Sequence, residues 1–241
     1  MSTYLLVHGA WHSGQCWERV VPLLVAAGHR VVAPSLTGHG DKAHLLSPEV
    51  GLDTHVDDVV RLITEEGLTE VVLVGHSYAG LVISSAANQV PDRIARLVYL
   101  DAMVPEDGES AADVLPVTQV LIDLAAKSDI AWRVPPLPEM PPPSGLFGIT
   151  DPADAAWLRT MLSDQSVRCL QQPVRLDNPA VNAIPRTHIH CVVGEPEGFA
   201  RRPVPAIQPN GTPAQVWELA TGHDCMITMP VELAELLLKL G

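Results

Sequence analysis

Short runs of β-branched and aliphatic residues alternate along this chain with longer stretches in which apolar positions recur at helical spacing. The runs predict strands at 4–8, 30–33, 71–75, 97–101, 188–193 and 214–219. The longer stretches predict helices at 16–27, 54–66, 77–89 and 231–240. Val71-Val72-Leu73-Val74 and Leu97-Val98-Tyr99-Leu100 show no polar alternation, so both faces of those strands should be buried. In the helix at 54–66, Val56, Val59, Val60 and Ile63 share one face and leave Asp57, Asp58, Glu65 and Glu66 to solvent. The alternation predicts an α/β fold: a mostly parallel sheet of about six strands flanked by helices.

The rhythm breaks at 102–186. Pro135, Pro136, Pro138, Pro141, Pro142 and Pro143 stand within a few residues of one another, a density that no helix or inner strand accepts. Helical patterns flank them at 113–127 and 152–163. The expected arrangement is a single domain with a core of 1–101 and 187–241. A small helical cap, 102–186, is inserted after the strand ending at Asp101.

Composition narrows the function. Apolar residues make up 47% of the 241 and charged residues 18%, enough for a large core. The net charge is −13, and no basic cluster exceeds Arg201-Arg202, so nucleic-acid binding has no electrostatic footprint. The start of the chain reads as a first strand rather than a signal peptide, and no apolar stretch reaches the length of a membrane span. Cys16, Cys169, Cys191 and Cys225 lack CxxC spacing, which fits reduced thiols in a cytoplasmic protein. His188 and His190 share a strand face without a third ligand beside them, so neither a metal nor another cofactor is expected. Oligomeric state is left open, a homodimer included.

The chemistry gathers at two places. Val71-Val72-Leu73-Val74-Gly75-His76-Ser77-Tyr78-Ala79-Gly80 reads as a buried strand, a tight turn at Ser77 and a helix. A nucleophile presented on such a strained turn needs small residues two before and two after it; here these are Gly75 and Ala79. Near the other end, Thr221-Gly222-His223-Asp224 follows the last strand, which leaves His223 where a general base for Ser77 would stand.

With His8-Gly9-Ala10-Trp11-His12-Ser13-Gly14 after the first strand, the chain resembles the hydroxynitrile lyase and plant methyl-ester esterase branch of the α/β-hydrolases. The likeness continues through Gly28-His29-Arg30, the turn at Ser77, Tyr99-Leu100-Asp101-Ala102, Leu146-Phe147-Gly148 and Gly222-His223-Asp224. It spans nearly the whole chain, loosely in the cap. Among bacterial proteins the chain resembles small esterases, including those that cleave the methyl carbamate of carbendazim. The resemblance implies the α/β-hydrolase fold, a small-molecule ester substrate, and an oxyanion hole built from the backbone N–H groups of Ala10 and Tyr78. The lyases carry threonine and lysine where this chain has Gly9 and Asp224, so hydrolysis is favoured over cyanide release.

The third catalytic group is open. Plant relatives place an aspartate after the strand matching 188–193, and the matching position here is Gly194. Asp101 is one replacement, at the point where some haloalkane dehalogenases place their acid; Glu195 and Glu197 are the others. Trp11, Trp132, Phe147 and Cys16 are candidates for the substrate pocket. The leading expectation is a serine esterase cleaving a small, mostly apolar or aromatic carboxylic or carbamate ester through an acyl-enzyme. Amide hydrolysis and hydroxynitrile cleavage are the enzymatic alternatives, and a ligand-binding receptor on the same fold is the alternative of another class.

Overall fold

A computed structural model describes residues 1–194, 199 and 201–241. Along the chain the strands are β1 (Thr3–Val7), β2 (Arg30–Val32), β3 (Val71–His76), β4 (Ile94–Leu100), β5 (Arg133–Val134), β6 (Gln165–Ser166), β7 (Arg186–Cys191) and β8 (Gln215–Leu219). The helices are α1 (Val21–Ala26), α2 (Leu52–Glu65), α3 (Ala79–Gln89), α4 (Ala111–Val114), α5 (Val117–Ala126), α6 (Pro152–Arg159), α7 (Val167–Gln171), α8 (Cys225–Thr228) and α9 (Pro230–Leu238). β5 and β6 form a small antiparallel pair; the other strands make one parallel sheet in the order β2-β1-β3-β4-β7-β8. This is the α/β architecture that the hydrophobic pattern predicts.

Alternate residues of the inner strands feed two cores. Leu5, Val7 and Leu73 pack on one face with Val56, Val59 and Ile63 of α2 and with α3. Tyr4, Leu6, Val72 and Val74 pack on the other with Leu24 of α1 and with Leu233 and Leu237 of α9. Both faces are therefore covered, as a parallel sheet requires. Truncating a side chain as fully enclosed as Leu73 to alanine would cost about 2–5 kcal/mol.

Prolines account for two differences from the predicted helices. The span 16–27 divides into a 3₁₀ turn, Gly14–Trp17, and α1, because Pro22 has no N–H to give and is accommodated only in a helix's first turn. Pro116 divides 113–127 into α4 and α5 in the same way. α6 stops at Arg159, four residues short of the predicted end.

Register sets the functional edge. Val7 pairs with Gly75, His76 with Leu100, Leu100 with Ile189 and Cys191 with Leu219. The C-terminal ends of five strands thus emerge together, and ligands of open α/β sheets bind beyond that edge. The segment between β4 and β7 lies against it: Trp11 of the first loop donates its indole N–H to the Val134 carbonyl at 3.0 Å, and its own carbonyl accepts from Ser163 N–H at 2.9 Å.

Candidate active site

Ser77 sits where β3 turns into α3, with φ of 56°. That is left-handed backbone, which a non-glycine residue rarely adopts. The turn is held by its neighbours: Ser77 N–H donates to the Leu100 carbonyl at 3.2 Å, and the Ser77 carbonyl accepts from Gly80 and Met103, both at 3.0 Å. A Cβ on Gly75 would stand 2.8 Å from the Ala79 carbonyl oxygen, and one on Gly80 would stand 1.8 Å from that of Met103. The space-demanding glycine after the serine is therefore Gly80, one place later than the usual motif, because β4's outgoing loop crosses there. Alanine fits at position 79.

His223 stands on the loop after β8 and is oriented by Asp101, the first residue beyond β4. Nδ1 of His223 lies 2.6 Å from Oδ2 of Asp101. The other carboxylate oxygen accepts from the Cys191 N–H at 3.0 Å and from the Arg201 guanidinium at 2.9 Å. Arg201 also donates to the Cys191 carbonyl at 2.8 Å. Burial would lift the Asp101 carboxyl, but the hydrogen bond and charge of His223, the Cys191 amide and Arg201 outweigh it and hold the carboxyl below its ordinary value. For His223 the balance runs upward: burial lowers its imidazole, and the bond to Asp101 and the charges of Asp101 and Asp224 overcome that, against Arg201. Glu195 and Glu197, the other acids considered, lie outside the described residues.

The loop after β1 passes close to Ser77. A Cβ on Gly9 would be 2.9 Å from that of Ser77. His8 accepts the Leu36 N–H on Nε2 at 3.0 Å, so its Nδ1 carries the proton and donates to the Gly9 carbonyl at 2.9 Å. Burial lowers the His8 pKa to about 3, which keeps this strut neutral. The N–H groups of Ala10 and Tyr78 have no hydrogen-bond acceptor among the described residues, and both residues border the cavity that holds Ser77.

That cavity measures about 160 Å³ and also contains His223 and Asp101 in its wall. No hydrogen bond joins Ser77 Oγ to a described residue, but the serine and the imidazole border the same cavity. Its remaining wall is largely apolar, with Met103, Val104, Leu115, Leu121 and Leu137 prominent. Four of the five described non-glycine residues with positive φ border it: Trp11, Ser77, Asp101 and Phe147. Backbone strain gathered this way marks functional sites.

Two expected pocket residues are not in the wall. Trp132 lies elsewhere, with the Arg133 guanidinium 4.5 Å over its ring, and Cys16 is fully enclosed in the core beside Trp17 because the 3₁₀ turn points it inward. Trp11 and Phe147 do line the cavity, their rings 5.7 Å apart.

Sequence reasoning missed Arg201 on the acid, and His12. The His12 ring bonds the Ala10 carbonyl through Nδ1 at 2.7 Å and Asp224 Oδ2 through Nε2 at 2.8 Å. Their carboxylate partners lie 100 and 212 residues away, so no local pattern signals either. For metals, His76, His223 and Asp224 bring ligand atoms within 4.8 Å of one another. His76 Nε2–H, however, donates to the His223 carbonyl at 3.1 Å, and His223 Nδ1 is engaged by Asp101. Those two nitrogens are taken up by the hydrogen-bonded framework, while His76 Nδ1 has no partner among the described residues.

Every one of these groups hangs from the C-terminal edge of a parallel sheet covered on both faces, which is the layout of an α/β-hydrolase. The chain belongs to the Alpha/beta hydrolase family, whose model matches residues 4–236. It is 37% identical over 248 residues to a carbendazim hydrolyzing esterase of Nocardioides sp. (strain SG-4G), with 100% of both chains covered. It is 26% identical to salicylic acid-binding protein 2 of Nicotiana tabacum, over 99% of this chain and 96% of that one. Among solved structures, an extracellular alpha/beta-hydrolase from a Paenibacillus species matches with a TM-score of 0.80 at 26% identity, covering 100% of this chain and 99% of the other. The pyrethroid hydrolase PytH matches with a TM-score of 0.71 at 26% identity, over 99% and 96%. The protein is accordingly an ester hydrolase of this family, in the branch that its motifs resemble. No helix among the described residues is long and apolar enough to cross a membrane.

Proposed function

We propose that the protein is a serine esterase in which Ser77 is the nucleophile, His223 the general base and Asp101 the acid. The observation that carries this reading is the 2.6 Å bond between Asp101 and His223 beside a cavity that also exposes Ser77 and two unengaged amide N–H groups. Asp101 fixes the proton on Nδ1, which leaves the Nε2 lone pair to take the proton of Ser77. The serine oxygen adds to the ester carbonyl carbon, and the resulting oxyanion accepts hydrogen bonds from Ala10 and Tyr78. Each such donor is worth about 3 kcal/mol of barrier. Collapse breaks the ester C–O bond, His223 returns its proton to the departing alkoxide, and water repeats the sequence to release the acid and free Ser77.

A cavity of about 160 Å³ with an apolar wall suits a small, mostly apolar or aromatic acyl or carbamoyl group, under a cap formed by 102–186. The family relatives that act on carbendazim and pyrethroids support ester and carbamate substrates. Lyase chemistry would use a cation beside the base to receive cyanide; Asp224 occupies the place after His223 and bonds His12 instead. A fluorophosphonate probe tests the mechanism. Labelling of the native protein that vanishes in Ser77→Ala supports it, and an unlabelled native protein refutes it in favour of a receptor on this fold. A panel of methyl, aryl and carbamate esters then ranks the substrates.

A further inference from the structure

β7 sends His188 and His190, two residues apart and hence on one face of the strand, to the wall of the cavity. His188 is 6% exposed and makes no hydrogen bond with any described residue. Its ring lies nearly parallel to that of Tyr99, with centroids 5.1 Å apart and planes at 13°. The Tyr99 hydroxyl is engaged by Ser84 at 2.8 Å, so it does not serve the imidazole. His190 follows at 6.3 Å, ring to ring. Buried polar groups ordinarily have partners, and an imidazole with none among the described residues, facing a cavity, is placed to take one from a ligand.

The charge state sharpens the chemistry. Burial, with His190 and Arg186 adding to it, takes the His188 pKa down to about 4, and burial with Arg201 also lowers that of His190, against Asp101 and Glu218. A neutral imidazole presents one donor and one acceptor. The cations at this end of the cavity are committed elsewhere: Arg202 to Glu109 through bonds of 2.7 and 2.9 Å, Arg201 to Asp101. What this wall offers a ligand is a neutral hydrogen-bonding edge in an otherwise apolar space.

We propose that His188, with His190 beside it, is a specificity wall that hydrogen-bonds a ring nitrogen or ring N–H of the substrate, so that neutral heteroaromatic esters and carbamates are preferred over their hydrocarbon counterparts. This rests on the esterase reading for turnover, but not for binding. The stack on Tyr99 by itself would be mere packing, and the two roles separate on substitution. His188→Phe keeps the stack and loses both polar atoms; His188→Gln keeps a donor and an acceptor.

The test compares methyl quinoline-3-carboxylate with methyl 2-naphthoate, which differ in one ring nitrogen. The native protein should favour the quinoline ester in kcat/KM. His188→Phe should lower that ratio about five- to tenfold, the worth of a net hydrogen bond, while His188→Gln holds it within about twofold. The same comparison by calorimetry, with quinoline-3-carboxamide and 2-naphthamide on the Ser77→Ala protein, reads the wall without turnover. A native preference for naphthalene, or a ratio in His188→Phe equal to native by both measurements, overturns the proposal. Absent fluorophosphonate labelling overturns the esterase reading alone and leaves the binding comparison decisive for the wall.

Discussion

Asp224 directly follows the base in sequence, yet its carboxylate is bonded to His12, Oδ2 to Nε2 at 2.8 Å, with both side chains almost wholly enclosed. The carbonyl of Ala10 can only accept, so the 2.7 Å contact to His12 Nδ1 places a proton there. His12 therefore joins the loop that carries Ala10 to the loop that carries His223. Phe147 seals the junction: its ring packs edge-on to His12 at 4.9 Å, and its carbonyl accepts the Asp224 N–H at 2.9 Å.

Breaking this link should cost stability and rate together. Removing one partner of a buried pair typically destabilises by about 3–5 kcal/mol, since the other is left uncompensated. Asp224→Ala should show that loss in chemical denaturation. Its kcat per titrated active site should fall, with KM little changed, because the Ala10 N–H is displaced in the transition state. Native stability in Asp224→Ala would mean that the contact contributes nothing to the fold.

The acid should be identified by the pH profile as well as by the rate. His223 acts as a base only when unprotonated, and its pKa is raised above the usual 6.5, so kcat/KM should fall as pH drops through that raised value. Asp101→Asn removes the hydrogen bond and the charge that lift it. The acid limb should then move to lower pH while kcat falls by up to about 10⁴-fold, on the serine-protease precedent. Near-native turnover in Asp101→Asn, with collapse in Glu195→Gln or Glu197→Gln, would transfer the role to that glutamate.

Gly9 should tolerate no side chain. A methyl group there would stand 2.9 Å from Ser77 Cβ and 3.2 Å from the His76 carbonyl oxygen, so the loop or the serine must move. A displacement near 1 Å at a reacting centre can cost about 10²-fold in rate. Gly9→Ala should therefore lower kcat on a simple aryl ester by roughly that factor while the protein stays folded by circular dichroism. Unchanged kcat would show that the loop relaxes freely.

What could be read in advance follows from how local each feature is. The elbow at Ser77 and the loop at His223 announce themselves within ten residues of chain, and Asp101 ends an apolar strand whose place beside β3 follows from the parallel pattern. Arg201 reaches Asp101 across 100 positions, and its two neighbours in sequence give no hint of that. His188 and His190 share one strand face in the sequence pattern, but only the fold shows that this face borders the cavity. Trp132 is a pocket candidate by its place in the cap and Cys16 by closeness to a motif; the fold instead sets Trp132 under the Arg133 guanidinium, and the 3₁₀ turn buries Cys16 in the core.

Ser77→Gly should trade activity for stability. At φ of 56° the serine pays a conformational strain that glycine does not, and strain of this kind is worth on the order of 1–3 kcal/mol. Part of the relief is offset because glycine frees the unfolded chain by about 0.4–1 kcal/mol. A net gain of about 1 kcal/mol would raise Tm by roughly 2–4 °C in a chain of this size. Ser77→Ala keeps Cβ and so keeps the strain; its Tm should match that of the native protein, and both variants should be inactive. Equal Tm values in the glycine and alanine variants would mean that the hydrogen bonds from Gly80 and Met103 to the Ser77 carbonyl, not side-chain strain, set the stability of the turn.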